Sequence, residues 1–447
     1  MYEYRKGFTI VELLTVIVVI GVLAAVITIS YTGITQKANI ASIKSDLRQS
    51  GNLLSMYKVV NNQYPDSVNL VNNGQGLDSS SGVSYSYTKI SDSEFCLTAK
   101  HEGLTNVGYF INQDNNTPTL GFCPGDAPPL TMDNTAVSTV AGNGSQGFAD
   151  GPVASAMFYL PRGLAVDDSG SIYVADTFNS RIRKITLDGE VSTLASSITR
   201  PNGIALDSLG NLYVSTNHSI IKVNKDGAVS AFAGSNYAGF ADGIGASARF
   251  DMPTGLAVDS LDNIYVADAY NNRIRKITPS GVVSTIAGSG ATGYSAPSGF
   301  ADGSVDTAIF NKLSGVAVDS LDNIYVADTY NNRIRKIASG VVSTVAGDGT
   351  SGSIDGASTS ARFYLPFSLV SDNTNNIYIA DLNNNRIRKI ASGVVSTLAG
   401  STYGFTDGAS VVAKFRSPYG ITLDKSGNLY IADTYGNRIR KISPSVN

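Results

Sequence analysis

The chain has 447 residues, enough for more than one domain, and charged residues make up only 15% of it. The formal net charge of −3 excludes a globally basic protein that attracts nucleic acid or anionic lipid through its overall field. Two Cys and two His leave little material for metal binding or nucleophilic catalysis, while 45 Gly and no Trp suit a turn-rich, exported β protein.

The N-terminal segment Phe8–Ile29 is predominantly apolar and contains a single charged residue, Glu12. As a helix it spans about 33 Å, at roughly 1.5 Å per residue, which is enough to cross a hydrocarbon core. Arg5 and Lys6 precede it, so the N-terminus is predicted to stay in the cytoplasm while the rest is exported. Apolar residues continue at helical spacing and no proline occurs before Pro65, which predicts one helix reaching to about residue 60.

The string KGFTIVELL, which begins at Lys6, resembles the type IV prepilin motif. The resemblance implies that a prepilin peptidase cleaves between Gly7 and Phe8 and that Phe8 becomes N-methylated. It also implies that Glu12 acts in filament assembly, where it neutralises the Phe8 ammonium of a neighbouring pilin subunit. A carboxylate near the bilayer core costs on the order of 3 kcal/mol and therefore normally has a partner. The alternative is that Glu12 lies at the interface and reaches water.

Segments reading GVSYSYTKI, EFCLTAK and NVGYFINQ alternate polar and apolar residues after Pro65, which predicts strands. A long helix followed by a small sheet is the arrangement of a pilin head, and the resemblance covers roughly residues 1–125. A disulfide between Cys96 and Cys123 would stabilise this exported head by about 3–4 kcal/mol, and it also matches the pilin family. Two free buried thiols are the alternative.

The rest of the chain repeats a strand–turn–strand unit six times. The copies read IYVADTFNSRIRKI, LYVSTNHSIIKV, IYVADAYNNRIRKI, IYVADTYNNRIRKI, IYIADLNNNRIRKI and LYIADTYGNRIRKI. Flanking strands bring each unit to four, which predicts the blades of a β-propeller. The last copy lacks the VSTxAG strand, and an unpartnered AVSTVAG precedes the first, so the N-terminal strand should complete the sixth blade and close the ring. The unit resembles the NHL repeat family over roughly residues 135–443.

The predicted fold class is therefore an α+β pilin module, with a long N-terminal helix and a small antiparallel sheet, followed by an all-β six-bladed NHL-type propeller. Pro-rich sequence separates the two parts. The predicted segments are a leader at 1–7, a transmembrane or filament-core helix at 8–31, a pilin head at 32–125, a linker at 126–135 and the propeller at 136–447.

Five copies carry an Asp after the second strand and an Arg five positions later. In the second copy Thr216 and Ser219 stand there, so both charges are lost together. The simplest interpretation is one structural ion pair per blade. The predicted pairs are Asp176 with Arg181, Asp268 with Arg273, Asp328 with Arg333, Asp381 with Arg386, and Asp433 with Arg438. A ligand-binding ring is the alternative.

A second Asp ends the first strand of every blade, before turn-forming residues, which predicts a role in the turn. These residues are Asp167, Asp207, Asp259, Asp319, Asp372 and Asp424. Calcium held by these loops is the alternative. Inserts such as GFADG, each followed by A-x-F, precede five blades and predict a Phe packed between neighbouring blades. The second blade lacks this insert, so the gap beside His218 is a candidate ligand groove.

These features predict a type IV pilin-like filament subunit, in a minor or tip position, that displays the propeller outside the cell for adhesion or ligand binding. The alternatives are a pseudopilin of a secretion or DNA-uptake system and a membrane-tethered surface enzyme. Catalysis and metal binding are not expected, because the propeller contains His218 as its single His and no Cys.

The expected partners are the prepilin peptidase, other pilin subunits, and an unknown surface, glycan or protein ligand of the propeller. No cofactor is expected. Nucleic acid is not expected as a partner either, although the RIRKI strands are rich in cations, since alternation and Asp pairing disperse those charges. The protein is expected first in the cytoplasmic membrane, with one crossing and its N-terminus inside, and then in an extracellular filament or at the cell surface.

Overall fold

The structure is a computed structural model that describes residues 41–67, 77, 80–81, 83–89, 95–101, 108–112, 115–120, 135–289, 299–319 and 321–443. The chain divides into two units, Met1–Pro129 and Leu130–Asn447. The cleavage site at Gly7 and Phe8, the assembly residue Glu12, the apolar segment and the Cys96–Cys123 pairing lie outside the described residues. Within the described residues, no helix combines the length and hydropathy that a membrane crossing requires.

The first unit contains an α-helix, described over residues 41–61, and a four-stranded antiparallel sheet. The strands follow chain order in the sheet and are Val83–Lys89, Phe95–His101, Gly108–Asn112 and Asn115–Leu120. Ile43, Leu47 and Leu54 recur on one helical face and are fully buried against Phe95 and Leu97. The apolar face of the helix and the second strand therefore form the core of this unit.

The second unit is a propeller of six blades, as the sequence predicted. Blades 1 to 3 are formed by Pro161–Val166, Ile172–Asp176, Arg181–Ile185 and Glu190–Ala195; by Ile204–Leu206, Leu212–Ser215, Ser219–Val223 and Val229–Gly234; and by Pro253–Val258, Ile264–Asp268, Arg273–Ile277 and Val282–Ala287. Blades 4 to 6 are formed by Val316–Val318, Ile324–Asp328, Arg333–Ala338 and Val341–Ala346; by Pro366–Ser371, Ile377–Asp381, Arg386–Ala391 and Val394–Ala399; and by Pro418–Leu423, Leu429–Asp433, Arg438–Ser443 and Ala136–Ala141.

The ring is closed by its two ends, because Ala136–Ala141 pairs with Arg438–Ser443 as the fourth strand of blade 6. Ile442 lies opposite Val137 in this pairing. The predicted closure is thus confirmed, and it covers an edge that would otherwise be free to pair with another chain.

Five blades carry an additional two-residue strand on their outer edge, and blade 2 carries none. These short strands are Gly151–Pro152, Gly243–Ile244, Gly303–Ser304, Gly356–Ala357 and Gly408–Ala409. Each comes from the insert that precedes its own blade. The Phe that follows each insert is completely buried, and Phe250, for example, packs against Ile220 of blade 2 and Val266 of blade 3. The predicted packing of Phe between blades is confirmed.

The first strand of a blade begins where its second strand ends, as the pairing of Pro161 with Asp176 illustrates. We call this end of the blades the upper face. Short 3-10 helices follow the second strand there in five blades, over Thr177–Asn179, Ala269–Asn271, Thr329–Asn331, Leu382–Asn384 and Thr434–Gly436, and another lies at Gly245–Ser247. Each insert begins at this end, where in blade 1 Asn179 donates to the carbonyl oxygen of Gly147, and runs along the outer edge to the opposite end, where Gly151 lies opposite Val191.

Candidate functional site

The Asp that ends the second strand is held by a buried arginine. In blade 3, Asp268 and Arg275 are both fully buried, and Arg275 Nη1 donates to Asp268 Oδ2 over 2.7 Å. Arg275 also donates to Asp242 of the insert, through Nε at 3.1 Å and Nη2 at 2.6 Å. Its remaining donors reach the carbonyl oxygens of Arg249 and Ala241, at 3.0 and 2.7 Å. One guanidinium therefore ties the insert, the Phe segment and two strands together.

This geometry corrects the predicted ion pairs. The partner of each Asp is the arginine two residues beyond the predicted one. The observed pairs are Asp176 with Arg183, Asp268 with Arg275, Asp328 with Arg335, Asp381 with Arg388, and Asp433 with Arg440. The pairings of these Asp residues with Arg181, Arg273, Arg333, Arg386 and Arg438 are wrong. Side chains two apart share a face of a strand, and the deeper arginine is the one that reaches the buried carboxylate.

The arginines at the predicted positions have another role. Four of them place their guanidinium over the Phe of an insert, at 4.1, 4.2, 4.0 and 3.8 Å from the ring centroid. These pairs are Arg181 with Phe148, Arg273 with Phe240, Arg333 with Phe300, and Arg438 with Phe405. In blade 5 the insert has Ser353 at this position, and Arg386 donates to its hydroxyl instead.

Burial dominates the electrostatics of this network. It raises the pKa of Asp268 to about 6, against the opposing effect of Arg275. The pKa values of the equivalent Asp176, Asp328, Asp381 and Asp433 are raised for the same reason. With a pKa near 6, Asp268 is ionised at neutral pH, and its charge is matched inside the blade, so the network is structural.

The second set of Asp residues stabilises turns. Asp259 Oδ1 accepts the backbone N–H groups of Leu261 and Asn263, at 3.0 and 2.8 Å. Its Oδ2 accepts from the Asn263 amide and from the Tyr265 hydroxyl, at 2.9 and 3.1 Å. Although burial acts to raise it, these hydrogen bonds lower the pKa of Asp259. In the part of the chain that the structure describes, no cluster of three or more His, Cys, Asp or Glu could hold a metal ion.

The first strands of all six blades surround an axial cavity of about 280 Å³. Most of the residues that line it have apolar or no side chains, with Ala165, Ala205, Ala257 and Ala317 at one register, and backbone groups add polar surface. Toward the upper face the strands approach so closely that a Cβ at Gly163 would collide with the carbonyl oxygen of Asn202. In each blade, the residue that precedes this position therefore lies at the mouth of the cavity. The position itself is occupied by Gly in five blades and by Ser368 in blade 5.

Six equivalent residues form this mouth, and they differ between blades. They are Arg162, Asn202, Thr254, Ser314, Phe367 and Tyr419. The three small ones, from blades 2 to 4, are buried. Thr254 donates to the carbonyl oxygen of Ser314, and Ser314 to that of Phe367, both at 2.7 Å. The half of the mouth formed by blades 2 to 4 thus carries small side chains, two of which donate hydrogen bonds to the next blade. The half formed by blades 5, 6 and 1 carries large side chains.

The large half forms a continuous stack of aromatic and guanidinium groups. The ring centroids of Phe367 and Tyr419 are 3.6 Å apart. The Arg162 guanidinium lies 4.7 Å from the Tyr419 centroid and 5.9 Å from that of Phe178. Arg200 covers Phe178 at 5.6 Å. We call Phe367, Tyr419, Arg162, Phe178 and Arg200 the axial stack; it runs from blade 5 to the loop that enters blade 2.

His218, the predicted groove residue, lies between blades 2 and 3. Its Nδ1 is 3.7 Å from Asp251 Oδ1 and is buried without a hydrogen-bond partner among the described atoms. Burial raises the pKa of Asp251, which the charge of His218 opposes. The loops that carry them are joined by the hydrogen bond from Met252 N to the carbonyl oxygen of Asn217, at 2.9 Å. Both therefore border blade 2 on the upper face.

The axial stack was missed by the sequence analysis. One feature of the sequence could have indicated it. At the start of the first strand, the middle residue of a tripeptide differs in every copy although the flanking residues are mostly the same; the six tripeptides are PRG, PNG, PTG, LSG, PFS and PYG. Repetition marks the structural positions of a propeller, so a variable position inside a repeat indicates a site that the fold does not dictate.

Comparison with known families agrees with this architecture. Sequence models of the Teneurin NHL domain match residues 194–391, and those of the NHL repeat match 158–185 and 415–442. The model of the prokaryotic N-terminal methylation motif matches residues 4–28. The chain joins an N-terminal methylation motif to NHL repeats. Both resemblances found in the sequence are thereby confirmed.

Relatives of the NHL propeller are longer proteins than this one. NHL repeat-containing protein 2 of Gallus gallus is 29% identical over 288 residues, which cover 56% of this chain and 39% of the relative. Teneurin-3 of Mus musculus is 28% identical over 286 residues, covering 51% of this chain and 10% of the relative. The chain thus spans less than half the length of these relatives.

Solved structures share the propeller fold. A protein of unknown function from Bacteroides thetaiotaomicron superposes with a TM-score of 0.56 at 19% identity, over 83% of this chain and 92% of that one. An auxiliary nutrient binding protein from the same organism also gives a TM-score of 0.56, at 14% identity, over 78% of this chain and 94% of that one. At such identities the likeness concerns the fold alone.

Proposed function

We propose that this protein is a type IV pilin-like filament subunit, in a minor or tip position, whose NHL propeller binds a ligand outside the cell. The observation that carries the proposal is the combination, in one chain, of the N-terminal methylation motif at 4–28 with an NHL propeller. The motif supports anchorage in the cytoplasmic membrane followed by exposure at the cell surface. A propeller on such a stem is a display module.

Processing and assembly would use three residues. The peptidase would cleave after Gly7, Phe8 would become the methylated N-terminus, and Glu12 would neutralise the Phe8 ammonium of a neighbouring subunit. The low-dielectric filament core favours this pairing, because an unpaired charge is costly there.

The size of the propeller supports a minor or tip position. The unit Leu130–Asn447 is more than twice as long as Met1–Pro129, which contains the stem. A subunit with so large a display module would be sterically demanding if it were repeated at every position of a filament.

Ligand binding, rather than catalysis, is supported by the upper face. The axial stack and the small half of the mouth place arginine, aromatic and amide groups around one depression, which is typical of binding sites. The buried charges of the Asp–Arg networks are consumed within the blades.

Mass spectrometry of filaments sheared from cells tests the proposal. We expect an N-terminal peptide that begins at methylated Phe8, at low abundance relative to other pilins. The variant Glu12→Ala should lower incorporation into filaments, while Glu3→Ala, in the removed leader, should leave it unchanged. An unprocessed Met1 terminus confined to the membrane fraction would overturn the filament role. Processed protein that never appears in sheared filaments would favour a pseudopilin instead.

A further inference from the structure

We infer that the upper face between blades 1 and 2 binds a carboxylate-bearing saccharide, such as a uronic-acid oligomer. This inference rests on the proposed function and assigns the ligand class to the propeller. The site consists of Arg162, Phe178, Arg200 and Asn202, and the ligand is recognised by its charge, its ring and its hydroxyl groups.

Two guanidinium groups flank one aromatic ring in this site. The Arg162 and Arg200 guanidinium carbons lie 5.9 and 5.6 Å from the Phe178 centroid. Arg162 Nε is buried and has no hydrogen-bond partner among the described atoms. Neither arginine belongs to any ion pair of the described residues, in contrast to Arg183 beside them. Their positive charge is therefore available to an anionic ligand.

The ring between the arginines is accessible. Phe178 is 39% exposed, and Arg200 is exposed at the start of blade 2. The backbone of Arg200 has a φ of 46°, and the equivalent residue of every other blade, such as Leu160 and Met252, has a positive φ as well. The fold thus fixes the direction in which the Cα–Cβ bond of Arg200 leaves the backbone.

Neighbouring groups add hydrogen-bonding capacity. Asn202 stands at the mouth and interacts with the Tyr419 hydroxyl, whose pKa is raised by burial. Blade 2 has no insert to cover this side of the upper face. A pyranose ring could contact the exposed part of Phe178, with its carboxylate beside one of the two arginines and a hydroxyl at the mouth of the cavity, the combination of apolar contact and few polar groups that defines small-ligand sites.

The remaining cations argue against nucleic acid. Binding of nucleic acid uses a basic track along which several phosphates are neutralised. Here the arginines of the networks are completely buried, and the third-strand lysines lie over Tyr rings at 5.3–5.7 Å. These lysines are Lys184, Lys222, Lys276, Lys336, Lys389 and Lys441. Between blades 1 and 2, the two guanidinium groups of Arg162 and Arg200 fit one carboxylate better than a chain of phosphates.

The test measures binding of the full-length protein, in detergent, to oligomers of galacturonate, glucuronate and mannuronate and to their methyl esters. We expect binding to at least one acidic oligomer and a loss of at least about tenfold on esterification, because the charge-assisted hydrogen bonds disappear. Arg200→Ala should weaken binding by about tenfold as well, and Arg162→Gln by more. Lys425→Ala, which removes an equal charge from an exposed pair with Asp168, should change nothing.

Several results would overturn the inference: no binding to any acidic oligomer, equal binding of the ester, full affinity in Arg200→Ala, or tighter binding of a single-stranded oligonucleotide. Arg200 is exposed, so its variant remains informative even if Arg162→Gln fails to fold. Filament incorporation is measured separately by the Phe8 peptide. If the processed protein is found in filaments but binds no acidic saccharide, the proposed function stands and the ligand class is wrong. If the protein binds an acidic saccharide but is not processed, the ligand class stands and the filament role is wrong.

Discussion

Blade 2 differs from the other five blades in several features at once. It has no insert, and Thr216 and Ile221 stand where blade 3 has Asp268 and Arg275. Thr216 instead hydrogen-bonds to Ser219 at 2.9 Å. The blade still folds into four strands without any charge network. The comparison shows that the insert, the Asp and the buried Arg are present together in five blades and absent together in blade 2.

The same contrast appears on the outer strand. Val229 of blade 2 is 46% exposed, whereas its equivalents are buried beneath the insert strands. These equivalents are Val137, Val191, Val283, Val342 and Val395. Five blades thus bury an edge that blade 2 leaves open.

The largest effect is expected for a charge placed under an insert. Val342→Asp should destabilise the protein by on the order of 4 kcal/mol or prevent folding, because an unpaired carboxylate would be buried. The matched variant Val229→Asp should change the unfolding free energy by less than about 0.5 kcal/mol. Chemical denaturation of the full-length protein measures both, and equal losses would show that the two edges are alike.

Removing one arginine should cost nearly as much. Arg335→Ile leaves Asp328 and Asp302 without their partner and should lower the unfolding free energy by about 3–5 kcal/mol. Arg333→Ile, which removes the partly exposed arginine of the same strand, should cost about 1 kcal/mol, the value of a cation–π contact with Phe300. If Arg333→Ile lowered the denaturation midpoint more than Arg335→Ile, the result would favour the pairing of Asp328 with Arg333 that was predicted from the sequence.

Converting blade 4 to the blade 2 pattern should recover part of this loss. The triple variant Asp302→Ala, Asp328→Thr and Arg335→Ile removes all three charges together. We expect it to be more stable than Arg335→Ile alone by at least about 1 kcal/mol, since no buried charge is left unpaired. A triple variant less stable than the single one would mean that the charges contribute independently.

The smallest effect concerns a feature that all six blades share. Hydrogen bonds outweigh burial and lower the pKa of Asp207 in blade 2 and of Asp319 in blade 4. A lowered pKa contributes stability above the unfolded value of about 3.9, and that stability is lost as the pH falls through the folded pKa. Asp207→Asn and Asp319→Asn should each remove about 1 kcal/mol at pH 6.

The two Asn variants should also show a shallower fall in stability between pH 4 and pH 2 than the unmodified protein. Urea denaturation across this range checks the slope. The raised pKa of Asp268 has the opposite effect, mainly between about pH 6 and pH 4, and it is common to all three proteins, so it cancels in the comparison. A fall of unchanged steepness in either variant would contradict the turn role of that Asp.

Repetition explains why much of the propeller could be predicted. Six copies of one strand–turn–strand unit gave the number of blades, and the unpartnered AVSTVAG gave the closure, since a free strand and a blade lacking one must pair. The loss of charge at Thr216 correctly indicated that the Asp after the second strand pairs with an arginine of its blade, but that arginine also pairs with the Asp of the insert, which gives two ion pairs in each of five blades. The partner was misassigned because Arg273 and Arg275 lie on the same face of a strand and differ only in depth, which spacing does not reveal.

The contact between the Asp of the insert and the buried arginine was harder to predict from the sequence. Asp242 reaches Arg275 across 33 residues of chain, and only the folded loop brings them together. The absence of the insert, of the Asp and of the second arginine in the same blade was nevertheless visible in the sequence. Comparing all differences of blade 2 at once, rather than one pair of columns, would have identified the three-part unit.

The sequence by itself determined the methylation motif, the six-bladed propeller, its closure and the Phe between blades. These follow from local patterns and from repetition, and repeated units pack in only a few ways. Only the tertiary structure decided which arginine is buried and which residues meet at the mouth of the cavity. Arg162, Arg200 and Tyr419 are far apart in the chain, and their proximity arises from closing the ring, which no local pattern encodes.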